Sequence, residues 1–496
     1  MLTGFFACTD LEEKLNEDLT TAQAKDYLNA NTDIDALLQS SYDGLKGPFF
    51  TNGQIWAMGT ITADEAIAPT RGGDWDDGGN WRSLHLHTWG GDHPEIGNAF
   101  NALLQVVFST TNILSFDVAS AQQKAEAKFL RAYSMFHVAD CWNQVPFREP
   151  GDNLLEPSNV LKGGEALDFI IDECTSILND LPDGPANKAN KDAARVLLMK
   201  AYLNKGAFAD RQAPKFENSD MQQVITLADQ VINGGKYSLD DNYFDNFAPN
   251  NDAVSSENIF TALNGPNDNG GNMAFFWYAG THYNQNPGGW NGFATLSDFY
   301  DSFEQNDQRR YQEYPGSWDQ GHIASGFMIG QQTNAAGEPL KDRKGNPLIF
   351  TREVKLRETG DNLEVTGIRV MKCPVDYSNP NDPNNDFPYF RYADVLLMKA
   401  EALLRTGNAG GALDIVNQIR AKRNASGLGS LDLDGLLAER GREMYWEGWR
   451  RQDLIRFGKF LSPWQEKPAT NSERLLFPIP AAQLAVNPNL EQNPGY

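Results

Sequence analysis

Long apolar runs and basic charge are both scarce in this 496-residue sequence. No stretch of about 18 consecutive apolar residues occurs, so no transmembrane helix is predicted. Lys and Arg total 42 against 66 Asp and Glu, which gives a formal net charge of −24. A surface this acidic repels polyphosphate backbones and anionic lipid head groups, so nucleic acid is excluded as a partner.

Cysteine is also scarce, and its spacing carries no metal signature. The four cysteines form no CxxC pair or Cys/His cluster, so neither a zinc site nor a disulfide framework is predicted. Cys141 and Cys174 lie in helical patterns and are predicted to be core residues. His85 and His87 are expected to share one strand face, but no third metal ligand lies nearby. Asp376–Asp386 is interpreted as a turn-rich linker without EF-hand spacing, with a structural Ca²⁺ site as the alternative.

Familiar catalytic and nucleotide-binding motifs are missing as well. The sequence contains no GxSxG, HExxH, GxxxxGK[ST] or GxGxxG, so no nucleophile, catalytic metal set or cofactor is predicted. A non-catalytic protein is therefore favoured. A glycoside hydrolase on a helical scaffold stays open as an alternative, because such enzymes need only an Asp/Glu pair at a separation that sequence does not reveal.

The N-terminus resembles the end of a lipoprotein signal peptide. Met1–Ala7 reads MLTGFFA and is followed by Cys8 and the polar run TDLEE. A small residue just before a cysteine, after apolar residues, is the cleavage pattern of bacterial lipoproteins. Residues 1–7 are interpreted as a remnant of the signal peptide, Cys8 as the lipid-bearing residue and residues 8–496 as one domain. The alternative is that Cys8 is an ordinary thiol.

An internal repeat dominates the rest of the chain. Ala194–Ala201 (ARVLLMKA) and Ala393–Ala400 (ADVLLMKA) agree at seven of eight positions, and Ala127–Phe136 is a looser copy. Each copy has an amphipathic partner segment: Ala166–Leu178, Val224–Ile232 and Ala412–Ile419. Small residues at Ala132, Ala201 and Ala400 would let a second helix approach closely, as in tetratricopeptide hairpins. Gly206 and Gly407 are predicted to cap two of these helices.

Two long insertions interrupt the repeats. Pro69–Pro94 and Asn264–Gly292 are rich in Gly, Asn and Asp, which favour irregular backbone. Both also carry large aromatics: Trp75, Trp81, Trp89, Trp277, Tyr278, Tyr283 and Trp290. A flat aromatic face suits a sugar ring, and Arg71, Asp74 and Asn80 could then bond the hydroxyl groups. The alternative is that these loops fold back and pack a small core of their own.

Several blocks, running in order along nearly the whole chain, together resemble the SusD/RagB family of outer-membrane lipoproteins from Bacteroidetes. They are Cys8 with its acidic follow-on, Ala125–Phe147, Ala193–Asn204, Phe299–Arg310, Phe390–Gly407, Glu439–Phe457 and Leu476–Tyr496. Each block alone is weak, and their shared order makes the resemblance specific.

The resemblance implies an all-α fold in which about four tetratricopeptide-like hairpins pack beside an irregular, loop-rich half. It also implies a lipid anchor on Cys8, exposure at the cell surface on the outer membrane, and a SusC-like TonB-dependent transporter as the partner that receives a captured oligosaccharide or polysaccharide. The expected ligand-binding residues are Arg71, Asp74, Trp75, Trp81, Trp277, Tyr283 and Trp290. Peptide is the alternative ligand within the family, and a protein-interaction scaffold is the usual role of tetratricopeptide repeats.

Overall fold

The computed structural model describes residues 21–265 and 271–496. Cys8 and the predicted signal-peptide remnant lie outside these residues. Within the two described ranges, no helix combines the length and apolar character needed to cross a membrane.

Helices make up most of the regular structure, as the all-α prediction requires. They are α1 (Thr21–Asn31), α2 (Ile34–Phe50), α3 (Gln54–Thr60), α4 (Asn80–Leu86), α5 (Pro94–Leu114), α6 (Ala121–Trp142), α7 (Gly164–Ile177), α8 (Lys191–Ala209), α9 (Asn218–Asn233), α10 (Asn251–Val254), α11 (Phe275–Tyr278), α12 (Ser297–Asp301), α13 (Ser317–Gly321), α14 (Tyr392–Arg405), α15 (Ala409–Lys422), α16 (Leu433–Met444), α17 (Arg450–Arg456) and α18 (Ala481–Val486).

The strands are short and form two- and three-stranded sheets. They are β1 (Thr70–Arg71), β2 (Gln144–Phe147), β3 (Asn159–Lys162), β4 (Asn258–Ala262), β5 (Tyr311–Gln312), β6 (Ser325–Met328), β7 (Gly330–Gln331), β8 (Ile349–Phe350), β9 (Arg357–Glu358), β10 (Arg369–Met371) and β11 (Phe387–Arg391). β1 pairs with β9 in parallel, and the other ladders are antiparallel: β10–β6–β5, β11–β4, β2–β3 and β7–β8.

The long helices pack largely against their neighbours in the chain. α2 packs on α5, and the pairs α6/α7, α8/α9 and α14/α15 follow, with α14 docking on α9 across the long insertion. The repeat segments lie in α6, α8 and α14. Ala132, Ala201 and Ala400 are fully buried, as close helix approach requires. The prediction of about four tetratricopeptide-like hairpins is confirmed.

The two glycines predicted as helix caps behave differently. Gly407 follows the end of α14 with φ +87°, the left-handed conformation of a C-terminal cap. Gly206 lies inside α8, which continues to Ala209, so its predicted capping role is wrong. A Cβ on Gly206 would overlap the backbone carbonyl of Lys215, so glycine is needed there for close approach instead.

The loop-rich half comprises residues 51–93, 237–265 and 271–391, where helices are short and turns frequent. It contains a separate small hydrophobic cluster, which includes Trp277, Met328, Phe350 and Val375. The main core runs through the helical half and into the loops that face it. The inserted loops are therefore packed structures with interiors of their own.

A buried ionic cluster joins the two halves at Glu443 of α16. The Glu443 carboxylate accepts hydrogen bonds from Arg423 at the end of α15 (2.9 Å), from Arg391 of β11 (3.3 Å) and from Arg309 of the loop-rich half (3.1 Å). All four side chains are buried. Burial alone would raise the pKa of Glu443, but these arginines hold it far below its ordinary value. The ionised carboxylate is thus the point at which three segments converge.

We expect Glu443→Gln to lower the free energy of unfolding by about 3–5 kcal/mol, because the change leaves three buried guanidinium groups short of one negative charge. Chemical denaturation followed by circular dichroism measures the loss. Asp434→Asn is the matched control, since Asp434 forms an exposed ion pair with Lys459 (3.0 Å) and should cost less than about 1 kcal/mol. Equal effects of the two substitutions would contradict a central role for Glu443.

Candidate functional site

The two aromatic-rich insertions, far apart in sequence, meet in the loop-rich half. Ile67 and Ala294 exchange backbone hydrogen bonds of 2.8 and 2.9 Å, which aligns the segment after α3 with the segment before α12. Arg71 reinforces the junction, because its guanidinium donates to the carbonyl oxygens of Asn291 (3.0 Å), Gly292 (2.5 Å) and Thr366 (2.7 Å). The side chains that follow these anchor points are thereby brought to one surface.

Arg71 is therefore a structural bracket rather than an exposed ligand group. Its side chain is buried, and burial lowers its pKa to about 10, so the group still carries its charge at neutral pH. The prediction that Arg71 binds ligand hydroxyls is not supported, because the donors described above are directed at backbone carbonyls. The sequence identified Arg71 as a polar residue of this region but could not show that its side chain points into the protein.

Asp74 and Trp75 follow Arg71 in a tight turn. The backbone groups of Arg71 and Asp74 bond each other reciprocally (3.0 and 3.1 Å), with Gly72 at φ +68° between them. Trp75 itself has φ +60°, an uncommon conformation for a residue with a side chain. Its indole Nε1 donates to the carbonyl of Trp290 (2.9 Å), and its ring lies so close to Gly292 that a Cβ there would overlap it.

Trp81 and Trp277 lie beneath the surface. Trp81 is buried, packs against Trp75 (5.9 Å between ring centroids) and donates its Nε1 hydrogen to Asp77 (2.6 Å). Trp277 has an exposed fraction of 0% and belongs to the small hydrophobic cluster. The prediction that these two rings contact ligand is not supported, because neither offers an open face. Their aromatic character serves packing, as the alternative interpretation of the loops expected.

Trp290 and Tyr278 remain at the surface. The Trp290 side chain is 39% exposed, and its ring lies 5.6 Å from that of Tyr278 at 32°. Tyr278 is half-buried and donates its hydroxyl hydrogen to Asn381 (2.7 Å). Together with half-buried Trp75, these rings form a surface that we call the aromatic rim (Trp75, Tyr278 and Trp290). Tyr278 and Trp290 are in ring contact, and Trp75 joins them through the bond of its indole N–H to the Trp290 carbonyl.

Tyr283 lies beside the aromatic rim and is held by contacts of its own side chain. Its hydroxyl donates to Asp74 (2.9 Å), and burial together with this bond raises its pKa to about 12. The guanidinium of Arg343 lies 3.8 Å from the ring centroid and covers one face. Tyr283 is thus a support that orients Asp74 and Arg343, and stacking on its covered face is blocked.

Two residues of this surface were not among the ligand-binding residues expected from the sequence. Tyr278 stands in the second insertion among other aromatics, and only its exposure separates it from buried Trp277. Arg343 lies in the turn Lys341–Asn346, which contains no aromatic residue and gave no signal at all. Its position becomes meaningful only once the fold places this turn beside Asp74.

The side chains considered as metal ligands are buried or hydrogen-bonded within the protein. His85 and His87 lie in and just after α4 rather than on a strand, so the predicted strand is wrong. Burial lowers the pKa of His85 to about 4 and that of His87 to about 2. The Asp376 carboxylate accepts hydrogen bonds from Ser378 and Asn384, as expected of a turn. Among the described residues, no cluster of three or more His, Cys, Asp or Glu side chains could hold a metal ion.

The fold and this surface define an α-helical repeat protein with an inserted loop-rich half. Residues 225–496 match the SusD family profile. The starch-binding protein SusD of Bacteroides thetaiotaomicron is 26% identical over 431 residues, covering 77% of this chain and 74% of that protein. The chain belongs to the SusD family.

Solved structures agree with the fold. Surface glycan-binding protein A from Bacteroides uniformis has a TM-score of 0.70 at 18% identity, with 93% of this chain and 98% of that chain covered. A SusD superfamily protein from Parabacteroides distasonis has a TM-score of 0.73 at 19% identity, with 97% of this chain and all of the other (100%) covered. At these identities the likeness concerns the fold alone.

The two kinds of tryptophan should separate in a stability measurement. We expect Trp277→Ala to lower the free energy of unfolding by about 3–5 kcal/mol, because it removes a fully buried ring. Trp290→Ala should cost less than about 1 kcal/mol, because its ring is partly exposed already. Thermal and urea melts of both variants test this, and an equally large loss in Trp290→Ala would show that the aromatic rim is part of the core.

Proposed function

We propose that this protein captures an oligosaccharide or polysaccharide at the cell surface and passes it to a SusC-like TonB-dependent transporter in the outer membrane. The observation that carries the proposal is the aromatic rim, where Trp75, Tyr278 and Trp290 present apolar faces beside the polar groups of Asp74, Arg343 and Asn381. Aromatic faces with hydroxyl-bonding groups beside them suit a sugar, which has apolar C–H faces and polar edges. The names of family relatives that bind starch and surface glycans support the same ligand class.

Binding is favoured over hydrolysis by the carboxylates beside the aromatic rim. A glycosidase needs a carboxylic acid whose pKa is raised so that it can donate a proton. Burial opposes ionisation of Glu364, but hydrogen bonds from Arg343 and His282 outweigh it and hold its pKa below the ordinary value. Asp74 is engaged by Tyr283 and by Arg343. Glu364 and Asp74 are thus both fixed by hydrogen bonds to neighbouring side chains. Carboxylates fixed in this way suit the orientation of a bound ligand.

We expect Trp290→Ala and Trp75→Ala to weaken glycan binding roughly 5- to 150-fold, if each ring contributes stacking energy of about 1–3 kcal/mol as in base stacking on aromatic side chains. Isothermal titration with amylopectin, laminarin, arabinoxylan and galactomannan identifies the ligand and measures the loss. Phe108→Ala is the matched control, since Phe108 is a comparably exposed aromatic (46%) in the second half of α5. Unchanged binding in both tryptophan variants would place the site elsewhere, and binding of a peptide instead would favour the peptide-binding alternative.

The lipid anchor on Cys8 belongs to the same proposal. A protein produced with a complete signal peptide should carry acyl chains on Cys8 and partition into detergent, because two or more chains hold a protein stably on a membrane. Cys8→Ala should release it to the aqueous phase. Detergent phase separation with mass spectrometry of the N-terminal peptide measures both effects. Cys141→Ala is the control, and membrane retention of Cys8→Ala would contradict the anchor.

A further inference from the structure

Arg343 stands at the tip of a turn that the loop-rich half holds rigidly. Asp342 is buried, and its carboxylate accepts hydrogen bonds from the backbone N–H groups of Lys344 (2.9 Å) and Asn346 (2.8 Å). The Asp342 backbone N–H donates to the carbonyl of Asn346 (2.8 Å), and Gly345 takes the left-handed conformation that closes the turn. The backbone of Arg343 is therefore fixed before any ligand arrives.

The guanidinium of Arg343 is fixed as well. Its Nε donates to Glu364 (2.6 Å), its Nη2 approaches Asp74 (3.4 Å), and its plane lies 3.8 Å from the centre of the Tyr283 ring. Nevertheless the side chain is 49% exposed. Among the described residues, no protein group accepts a hydrogen bond from its Nη1. An arginine held on two sides by carboxylates thus keeps unused donors toward solvent.

A third layer supports this arrangement. Glu364 also accepts from the backbone N–H of Arg343 (3.1 Å) and from Nε2 of His282 (2.9 Å). Nδ1 of His282 accepts from the backbone N–H of Asn284 (3.0 Å), which assigns the ring proton to Nε2. His282 is buried, so its orientation is set by the loop that also carries Tyr283 and Trp290. The network therefore fixes Arg343 relative to the aromatic rim.

We propose that Arg343 is a ligand-binding residue of this site and that it acts with Asp74 as a donor–acceptor pair for adjacent hydroxyl groups of one sugar. The free Nη1 hydrogens donate to one hydroxyl oxygen, while the exposed carboxylate of Asp74 accepts a hydrogen from the neighbouring hydroxyl. Glu364 is a positioning residue that acts through Arg343. This inference rests on the proposed function and narrows the ligand to a glycan that leaves two adjacent hydroxyls free where it meets the aromatic rim.

Arg343→Met and Arg343→Lys test the proposal, titrated with whichever of the four polysaccharides binds the wild-type chain most tightly. Arg343→Met should weaken binding roughly 10- to 100-fold, the usual range for loss of a hydrogen bond from a charged donor. Arg343→Lys should restore only part of it, because an ammonium keeps the charge but lacks the planar fork. Arg352→Met is the matched control, since Arg352 is similarly exposed (45%) and pairs with Asp301 elsewhere in the loop-rich half.

A double-mutant cycle separates positioning from simple structural support. Glu364→Gln should weaken binding in the wild-type chain but have little further effect in the Arg343→Met background, because its influence passes through Arg343. An equal effect in both backgrounds would overturn the positioning role. Normal binding by Arg343→Met or full recovery by Arg343→Lys would overturn the ligand-binding role, as would losses matched by a drop in melting temperature in both variants. If Trp290→Ala still abolished binding in that case, the proposed function would stand; a wild-type chain that bound none of the four glycans would count against the function itself.

Discussion

The ionised side chain of Glu443 holds the two halves of this molecule in one arrangement. Taking a carboxylate out of water is costly, and three arginines from separate parts of the chain offset that cost only when all of them converge on it. All three arginines also bind other buried acids: Arg391 and Arg423 pair with Glu257 (3.2 and 2.6 Å), and Arg309 pairs with Glu439 (2.7 Å). The cluster therefore connects the helical repeats firmly to the loops. These buried charges are satisfied only when their segments are correctly placed. The loops can therefore be long and irregular and still present a defined surface.

The surface of the loops depends on a second set of interactions, which is centred on Arg71 and involves backbone carbonyls. Arg71 has no carboxylate within bonding distance among the described residues and instead binds three backbone carbonyls from two loop segments, at residues 291–292 and at Thr366. Asp74 and Trp75 reach the surface because the side chain of Arg71, at the start of their turn, points into the protein. The aromatic rim thus depends on a buried cation that aligns the backbone, while the exposed polar and aromatic groups lie one turn away.

The helical half was largely predictable from sequence, because each repeat must bury small residues at fixed spacing and this periodicity is visible in Ala194–Ala201 and Ala393–Ala400. The loops were predictable only in composition. Of the seven residues expected to bind ligand, Asp74, Trp75, Tyr283 and Trp290 come together, whereas Arg71, Trp81 and Trp277 are buried. Trp277 and Tyr278 are neighbours on one short helix, so which of them faces inward is decided by tertiary packing alone. Arg343 could not be found by any local pattern, since only the fold brings it to Asp74.

The turn that carries Arg343 is organised largely by its own hydrogen bonds. Asp342 organises it internally, and its contacts with the rest of the site include the side chains of Glu364, Asp74, Tyr283 and Asn284. Insertions or deletions at its tip would shift or replace the arginine while leaving the Arg71 bracket and the Trp75–Trp290 contact intact. On the proposed function, a change of a few codons in this turn would alter which hydroxyl groups of a ligand are bound and would leave the aromatic rim unchanged.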